Sequence, residues 1–274
     1  MPLTPAHAAQ FRSEGYTAID PFFTPNELEA LRRELTRMYA VASEQRSLNV
    51  AVQADGATNS DTGELQNLQL IPLNDKSPLY KALPFAPKVA DAVQALIGDS
   101  FRLHLDQAFW KPAHKGVGTS WHQDNAYFKI ADPLRGTAMW IAIHDATVAN
   151  GTIHVIPQSF AKTHEHYRDP LDNHHITFDT DDKGVPVELA AGGVAFFCYG
   201  TPHCTKGNTT DMDRAGVALH FVHTDYTEGD HWTQNEQRTP IVRGPAATGG
   251  LRECGEMIEG TWDRRVEEAS DQYG

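Results

Sequence analysis

Three stretches of the chain place a histidine and an aspartate two positions apart: His104 and Asp106 in HLD, His122 and Asp124 in HQD, and His223 and Asp225 in HTD. On a β-strand, residues i and i+2 point to the same side, so each pair offers an imidazole and a carboxylate to one point in space. Two histidines and one carboxylate on one face of an octahedral metal leave three positions open, the donor set of non-haem Fe(II) oxygenases. About one such pair is expected by chance in a chain of this composition. The surroundings must therefore choose among the three.

A third ligand is available to one pair. His203, in YGTPHCTKGN, follows the apolar run GVAFFC and a Gly/Pro turn that would set it at a barrel rim. Arg214 comes eleven residues later and opens the run RAGVALHFV. If that run is a strand, Arg214, Gly216, Ala218 and His220 share one face. The small residues beside the arginine would leave a hole for a planar anion, and a guanidinium fork suits a carboxylate through two parallel charge-assisted bonds. His104 and Asp106 alternate with Leu103, Leu105 and Phe109 and are expected to face outward. His223 and Asp225 have no such partner downstream; eleven residues after His223 comes Gln234. His122, Asp124 and His203 are the predicted metal set, against the alternative of satisfied polar residues at a loop edge.

The elements that must position these residues are legible in outline. Tyr16–Ile19 reads as a short strand. Thr24 caps a helix over 25–43, with Pro25 at its first position, Glu27 completing a capping box, and Leu28, Leu31, Leu35 and Met38 at helical spacing. A polar stretch over about 44–63 is long for a plain connection and is expected to be a lid or a mobile loop. A second helix covers 87–97, stopped by Gly98. Short β-rich runs follow at 101–111, 136–144, 152–157, 193–198 and 214–222, and Asn150-Gly151 predicts a hairpin between two of them. Strands joined by turns and loops, with no helices between, indicate a sandwich or jelly roll covered by the earlier helices.

The whole chain sets outer limits. At 274 residues with 40% hydrophobic content it can bury a substantial core. A formal charge of −13 argues against nucleic acid as a partner. No signal-peptide pattern opens the chain, no apolar run reaches transmembrane length, and Cys198, Cys204 and Cys254 are too scattered for a disulfide framework. A cytoplasmic monomer or homodimer acting on a small molecule is expected.

The ordered series FWKP, WHQDNAYF, MWIAIHDATVANGTIHVIPQSF, GTPHCTKGN and RAGVALHF resembles the phytanoyl-CoA dioxygenase (PhyH-like) family of Fe(II)- and 2-oxoglutarate-dependent oxygenases. With GYTAIDPFFTPNELEALRREL added, the resemblance spans most of residues 12–222. It implies a double-stranded β-helix (jelly roll, cupin-like) core over about 99–225, mainly β with flanking helices over about 12–98, in a single domain with a C-terminal extension over 226–274. It also implies Fe(II) on His122, Asp124 and His203, with 2-oxoglutarate and O2 as cosubstrates. Arg214 and Thr205 would hold the far carboxylate, Trp140 would border the cosubstrate, and Gln107 would line its pocket. Asn125, Tyr127 and Phe128 are candidate substrate residues, with Lys111 near the mouth. Gln158 and Phe160 depart from the glycine and histidine common in the family's turn, and residues from 226 onward match nothing.

The implied reaction releases succinate and CO2 and hydroxylates a small, polar or charged molecule. Related halogenases lack the carboxylate ligand, so Asp124 argues against halogenation; desaturation, epoxidation and cyclisation stay open. So do a jelly-roll protein that binds metal without turnover, and a zinc hydrolase or lyase. The loop 161–186 is expected to close over the site. Its His164, His166, His174 and His175 suit a solvated loop better than a second metal. Lys129, Arg135 and Arg168, with Lys111, are the cations that could hold an anionic substrate.

Overall fold

The computed structural model describes residues 2–51, 67–170, 175–228 and 236–271. The lid expected over 44–63 falls largely outside them, as does His174.

The helical layer begins earlier than the sequence suggested. Helix α1 (Pro5–Glu14) starts at the N-cap Thr4 and ends at Gly15, whose φ of 83° is the left-handed conformation that closes helices. It buries only Ala8 and Phe11, so no apolar stripe announced it. Strand β1 (Tyr16–Ile19) leads to α2 (Pro25–Glu44), which has the expected capping box: Glu27 N donates to Thr24 Oγ1 and Thr24 N to Glu27 Oε2. Then follow β2 (Asn49–Ala51), β3 (Asn67–Leu70), α3 (Pro78–Ala82) and α4 (Pro87–Ile97).

The β-rich half comprises β4 (Phe101–Lys111), β5 (Thr119–His122), a helical turn α5 (Asn125–Phe128), β6 (Gly136–Ala142), β7 (Ile153–Val155), β8 (Tyr167–Arg168), β9 (Ile176–Thr177), β10 (Val185–Val187), β11 (Val194–Cys198), β12 (His203–Thr205) and β13 (Arg214–His223). The extension adds β14 (Ile241–Arg243), α6 (Leu251–Cys254) and α7 (Trp262–Asp271). The large sheet runs β1-β11-β6-β13-β4-β3-β2 with β14 also on β4; the small one runs β10-β7-β12-β5. Among the described residues, the strand pairings in the two are antiparallel. This is the jelly roll.

Alternation along the strands divides the interior. Met139, Ile141, Val217 and Leu219 face the helices and pack with Leu31, Leu35, Val89 and Trp262. Trp140, Ala138, Ala218 and Phe197 face the small sheet, with Ile153 and Val155 opposite. Helix α7, which had no sequence match, lies on α2. Glu27 ties them: its carboxylate accepts from Lys88 Nζ at the start of α4 and from Trp262 Nε1. Burial alone would raise the Glu27 pKa, but these bonds and those from Thr24 outweigh it and hold it below the ordinary range. A depressed carboxylate stabilises the fold above its unfolded pKa, and this contribution is lost as pH falls through the folded value. Glu27→Ala is expected to cost about 2 kcal/mol at neutral pH. The loss of thermal stability should shrink on acidification below about pH 4, measured by calorimetry.

Two expectations are corrected. Asn150-Gly151 does not join a hairpin, because β6 belongs to the large sheet and β7 to the small one. It forms the turn between sheets, with Asn150 bonded to Thr147 N and Asp145 O. Asp106 does not face outward; it is buried beneath the helical layer and accepts from Asn74 N at 2.6 Å. A register shift in the β4–β13 ladder at His220/Phe221 breaks the alternation, so Phe101 and Leu103 face the helices while Leu105, Gln107, Phe109 and Lys111 face the inter-sheet cavity. Burial raises the Asp106 pKa to about 7.

Candidate active site

His122 ends β5 and His203 opens β12, and the two are direct partners in the antiparallel ladder. Their ring centroids are 4.2 Å apart. In each, Nδ1 donates to a carbonyl two residues earlier: His122 to Ser120 O at 2.8 Å and His203 to Thr201 O at 3.0 Å. A carbonyl can only accept, so both rings carry their proton on Nδ1 and present Nε2 as the lone pair. Asp124 reaches the same point by another route than the expected strand alternation. The chain leaves β5 after His122, and Asp124 starts the turn α5, its carbonyl accepting from Tyr127 N and Phe128 N. Between them Gln123 pins the crossing. Its Nε2 donates to Gly200 O and Lys162 O, and its Oε1 accepts from His164 N.

The three side chains converge. Asp124 Oδ1 lies 3.9 Å from His122 Nε2 and 3.8 Å from His203 Nε2, and all three are buried. Ligands about 2.1 Å from a metal and at right angles to each other stand about 3 Å apart, so the set needs to close by less than about 1 Å. Burial first, and then His203, push the His122 pKa down to about 3, and burial lowers His203 as well, so both rings are neutral and ready to ligate. Burial opposes ionisation of Asp124, but the rings of His203, His220 and His122 hold its carboxyl below the ordinary range. A divalent transition-metal ion that accepts nitrogen and oxygen donors fits this set.

The triad opens into a cavity of about 340 Å3 between the sheets. At its inner end Arg214 is buried, with Nη2 donating to Gly151 O and Nε left with no hydrogen-bond partner. Its guanidinium carbon lies 5.4 Å over the Trp140 ring. That indole occupies the space expected to be an anion hole beside Gly216: a Cβ on Gly216 would fall 2.6 Å from Trp140 Cζ2. The hole is bounded instead by Arg214, Ala218 and Thr205. Thr205 Oγ1 accepts from Lys111 Nζ at 2.7 Å and from Thr119 N at 3.0 Å.

Lys111 is therefore not at the mouth. It is fully buried, directly across the ladder from Arg214, and donates to Thr205 Oγ1 and Lys206 O. Burial, and then Arg214, lower its pKa well below the ordinary lysine value; burial brings Arg214 to about 10. No carboxylate among the described residues forms an ion pair with either of them.

Asn125 is also displaced from its expected role. Its amide closes the turn, Oδ1 accepting from Ile130 N and Nδ2 donating to Ile130 O, and it lines a neighbouring surface depression with Lys129 and Arg168. Arg135 donates to Ile97 O. Tyr127 and Phe128 do line the cavity, as does Gln107, whose Oε1 accepts from Gln69 Nε2 at 2.7 Å. The sequence reading missed Asn67, Gln69, Thr119 and His175 as lining residues. The alternation N-L-Q-L in β3 was their one signal, and it lay beyond a stretch read as a lid. Within 161–186, His164 stacks on Phe178 and His166 accepts from Gln123 N, while His175 reaches the cavity. Gln158 takes the left-handed conformation, φ 60°, that glycine adopts most readily, and donates from its backbone to Glu14 O.

The competing pairs stand apart from the cavity. His104 bonds Tyr199 Oη through Nδ1 and packs on Phe128, and His223 accepts from Asp225 N.

Known proteins resemble this chain in sequence and in fold. The profile of the phytanoyl-CoA dioxygenase (PhyH) family matches residues 11–216. Ectoine dioxygenase of Sphingopyxis alaskensis is 25% identical over 239 residues, 80% of this chain and 75% of its own length. Phytanoyl-CoA dioxygenase domain-containing protein 1 of Danio rerio is 27% identical over 285 residues, covering 87% and 97%. Among solved structures, EctD from S. alaskensis with 2-oxoglutarate and 5-hydroxyectoine superposes with a TM-score of 0.64 at 21% identity, covering 83% of this chain and 79% of that one. With three quarters of its length matched by the family profile and the His-Asp-His cluster facing the jelly-roll cavity, the chain belongs to the phytanoyl-CoA dioxygenase (PhyH) family.

Proposed function

We propose that the protein is an Fe(II)- and 2-oxoglutarate-dependent dioxygenase that hydroxylates a small polar molecule. The observation that carries this reading is the pairing, in one cavity, of a buried two-histidine, one-carboxylate cluster with a buried guanidinium that has no acidic partner among the described residues. When bound, Fe(II) and 2-oxoglutarate activate O2 and couple oxidative decarboxylation of the cosubstrate, to succinate and CO2, to oxidation of a substrate C–H bond. His122, Asp124 and His203 would hold the metal on one face. Arg214 offers its unpartnered Nε to the far carboxylate of 2-oxoglutarate. Thr205 Oγ1 accepts from Lys111 and Thr119 N and lies 3.0 Å from Thr119 Oγ1, and its hydroxyl would turn from that oxygen to donate to the same carboxylate. Trp140 walls that end, and Gln107 stands between it and the substrate.

Reassigning Lys111 narrows the substrate. Both cations lining the cavity among the described residues sit at the cosubstrate end. The remaining wall offers Asn67, Gln69, Gln107, His175 and Tyr127 beside Leu105, Phe109 and Phe128. Asn67 Oδ1 is buried with no hydrogen-bond partner, so a substrate that brings an N–H or O–H donor is favoured over a carboxylate or phosphate. A cavity of 340 Å3 lies at the small end of ligand sites and must hold the cosubstrate too. We read the chain as one domain, since the C-terminal helix packs on α2, and as a protein of a reducing compartment such as the cytoplasm, given three free cysteines. Anaerobic addition of Fe(II) and then 2-oxoglutarate should produce the weak visible charge-transfer band of a chelated 2-oxo acid. Bound metal without that band would shift the reading to a metal-binding or hydrolytic jelly roll.

A further inference from the structure

Asp124 uses its two oxygens differently. Oδ1 points between the Nε2 atoms of His122 and His203, whereas Oδ2 points away from them to His220 Nε2 at 3.3 Å. His220 is buried on the inner face of β13, two positions beyond Ala218, with Phe128 edge-on at 5.5 Å between centroids and Tyr199 at 6.1 Å. It is not one of the mutually adjacent ligand atoms of the cluster; it stands behind the carboxylate. Asp124 Oδ2 is buried without a hydrogen bond, although it lies 3.3 Å from His220 Nε2. A buried carboxylate oxygen left in that state is costly, and a small turn of the carboxylate that keeps Oδ1 between the histidines brings Oδ2 to the Nε2–H. Among the described residues, Oδ2 has its one ion-pair contact with His220.

We infer that His220 is a positioning residue, whose Nε2–H holds the outer oxygen of Asp124 so that the carboxylate gives the metal one oxygen only. This rests on the metal-site reading above. A carboxylate held through one oxygen preserves the open positions that a chelating 2-oxo acid and O2 require. Released from His220, Oδ2 is free to swing toward the metal and compete for one of them. Partners of this kind, one step behind a metal ligand, typically change metal affinity by about 10–100-fold when lost.

The test uses the full-length apo-protein and anaerobic Co(II), read from its visible spectrum, followed by 2-oxoglutarate. His220→Phe keeps an aromatic ring but removes the donor; His220→Met does the same should the Phe variant not fold. His220→Gln sets an amide N–H close to the place of Nε2. The expected result is a Co(II) Kd raised about 10–100-fold in His220→Phe. His220→Gln should recover to within about threefold of wild type, and the apo melting temperatures of all three should be similar. A role in packing alone would instead lower apo stability and leave the Kd where it was. A wild-type Kd in a folded apolar variant overturns the inference. Failure of the wild-type protein to bind Co(II) would instead overturn the metal-site reading on which it stands.

Discussion

His122→Ala is expected to abolish divalent-metal binding and turnover, while His104→Ala should leave the metal affinity within about twofold of wild type. Both residues open a His-x-Asp pair, so the contrast separates local pattern from three-dimensional setting. His122 Nε2 is one of three ligand atoms lying within 4.8 Å of each other, and its ring is fixed by Ser120 O. Loss of a partner one step behind a ligand weakens a site about 10–100-fold, so loss of a ligand should exceed about 100-fold. His104 lies on the far side of Phe128, 4.0 Å between ring centroids, and holds Tyr199 Oη. Its removal leaves a void and an unpaired hydroxyl, which should lower stability by about 1–2 kcal/mol without touching the ligands. The two effects fall in different measurements, isothermal titration with Co(II) for one and thermal melting for the other. Equal loss of metal in both variants would mean that the wrong pair has been chosen.

What could be read from the sequence followed from periodicity and capping, and what could not followed from interruptions of them. The helix after Thr24 and the one stopped by Gly98 lie within a residue of expectation, because cap, proline and apolar stripe agree there. Helix α1 buries two residues and α7 buries three, too few to mark a face. In β4 the count of alternate residues failed at His104, where the register with β13 shifts. That one irregularity sent Asp106 to the helix side. His122, Asp124 and His203 do come together, but by another route than the strand alternation: Asp124 belongs to a turn, not to a strand, and Gln123 makes the two routes converge. Pairwise separations in sequence could not show that His203 is laddered to His122, nor that Lys111 sits opposite Arg214.

Lys111 and Arg214 should reveal their shared purpose by responding oppositely in stability and in binding. They are directly opposed across β4 and β13, both fully buried, with a hydroxyl and carbonyls as partners and no acidic group among the described residues. Like charges facing each other across a ladder are destabilising, and a buried charge without a counter-ion more so. Arg214→Ala should weaken 2-oxoglutarate binding roughly 100-fold, about 3 kcal/mol for two charge-assisted bonds, with Co(II) affinity kept. Lys111→Met removes the second cation at nearly constant volume. It should weaken 2-oxoglutarate about tenfold and yet raise apo stability by about 1 kcal/mol. The pH dependence gives an independent sign. Because the folded, ligand-free pKa of Lys111 lies below its unfolded value of about 10.4, the unfolded chain binds more protons in the interval between them. That residue's destabilising contribution therefore fades as pH rises through the interval, and Lys111→Met should lose this part of the slope. If Lys111→Met were destabilising and left 2-oxoglutarate affinity intact, the lysine would be a structural clamp on Thr205 and the strand end alone. The opposite pair of signs requires an anion in the fold's working state, because only an anion makes two facing buried cations favourable.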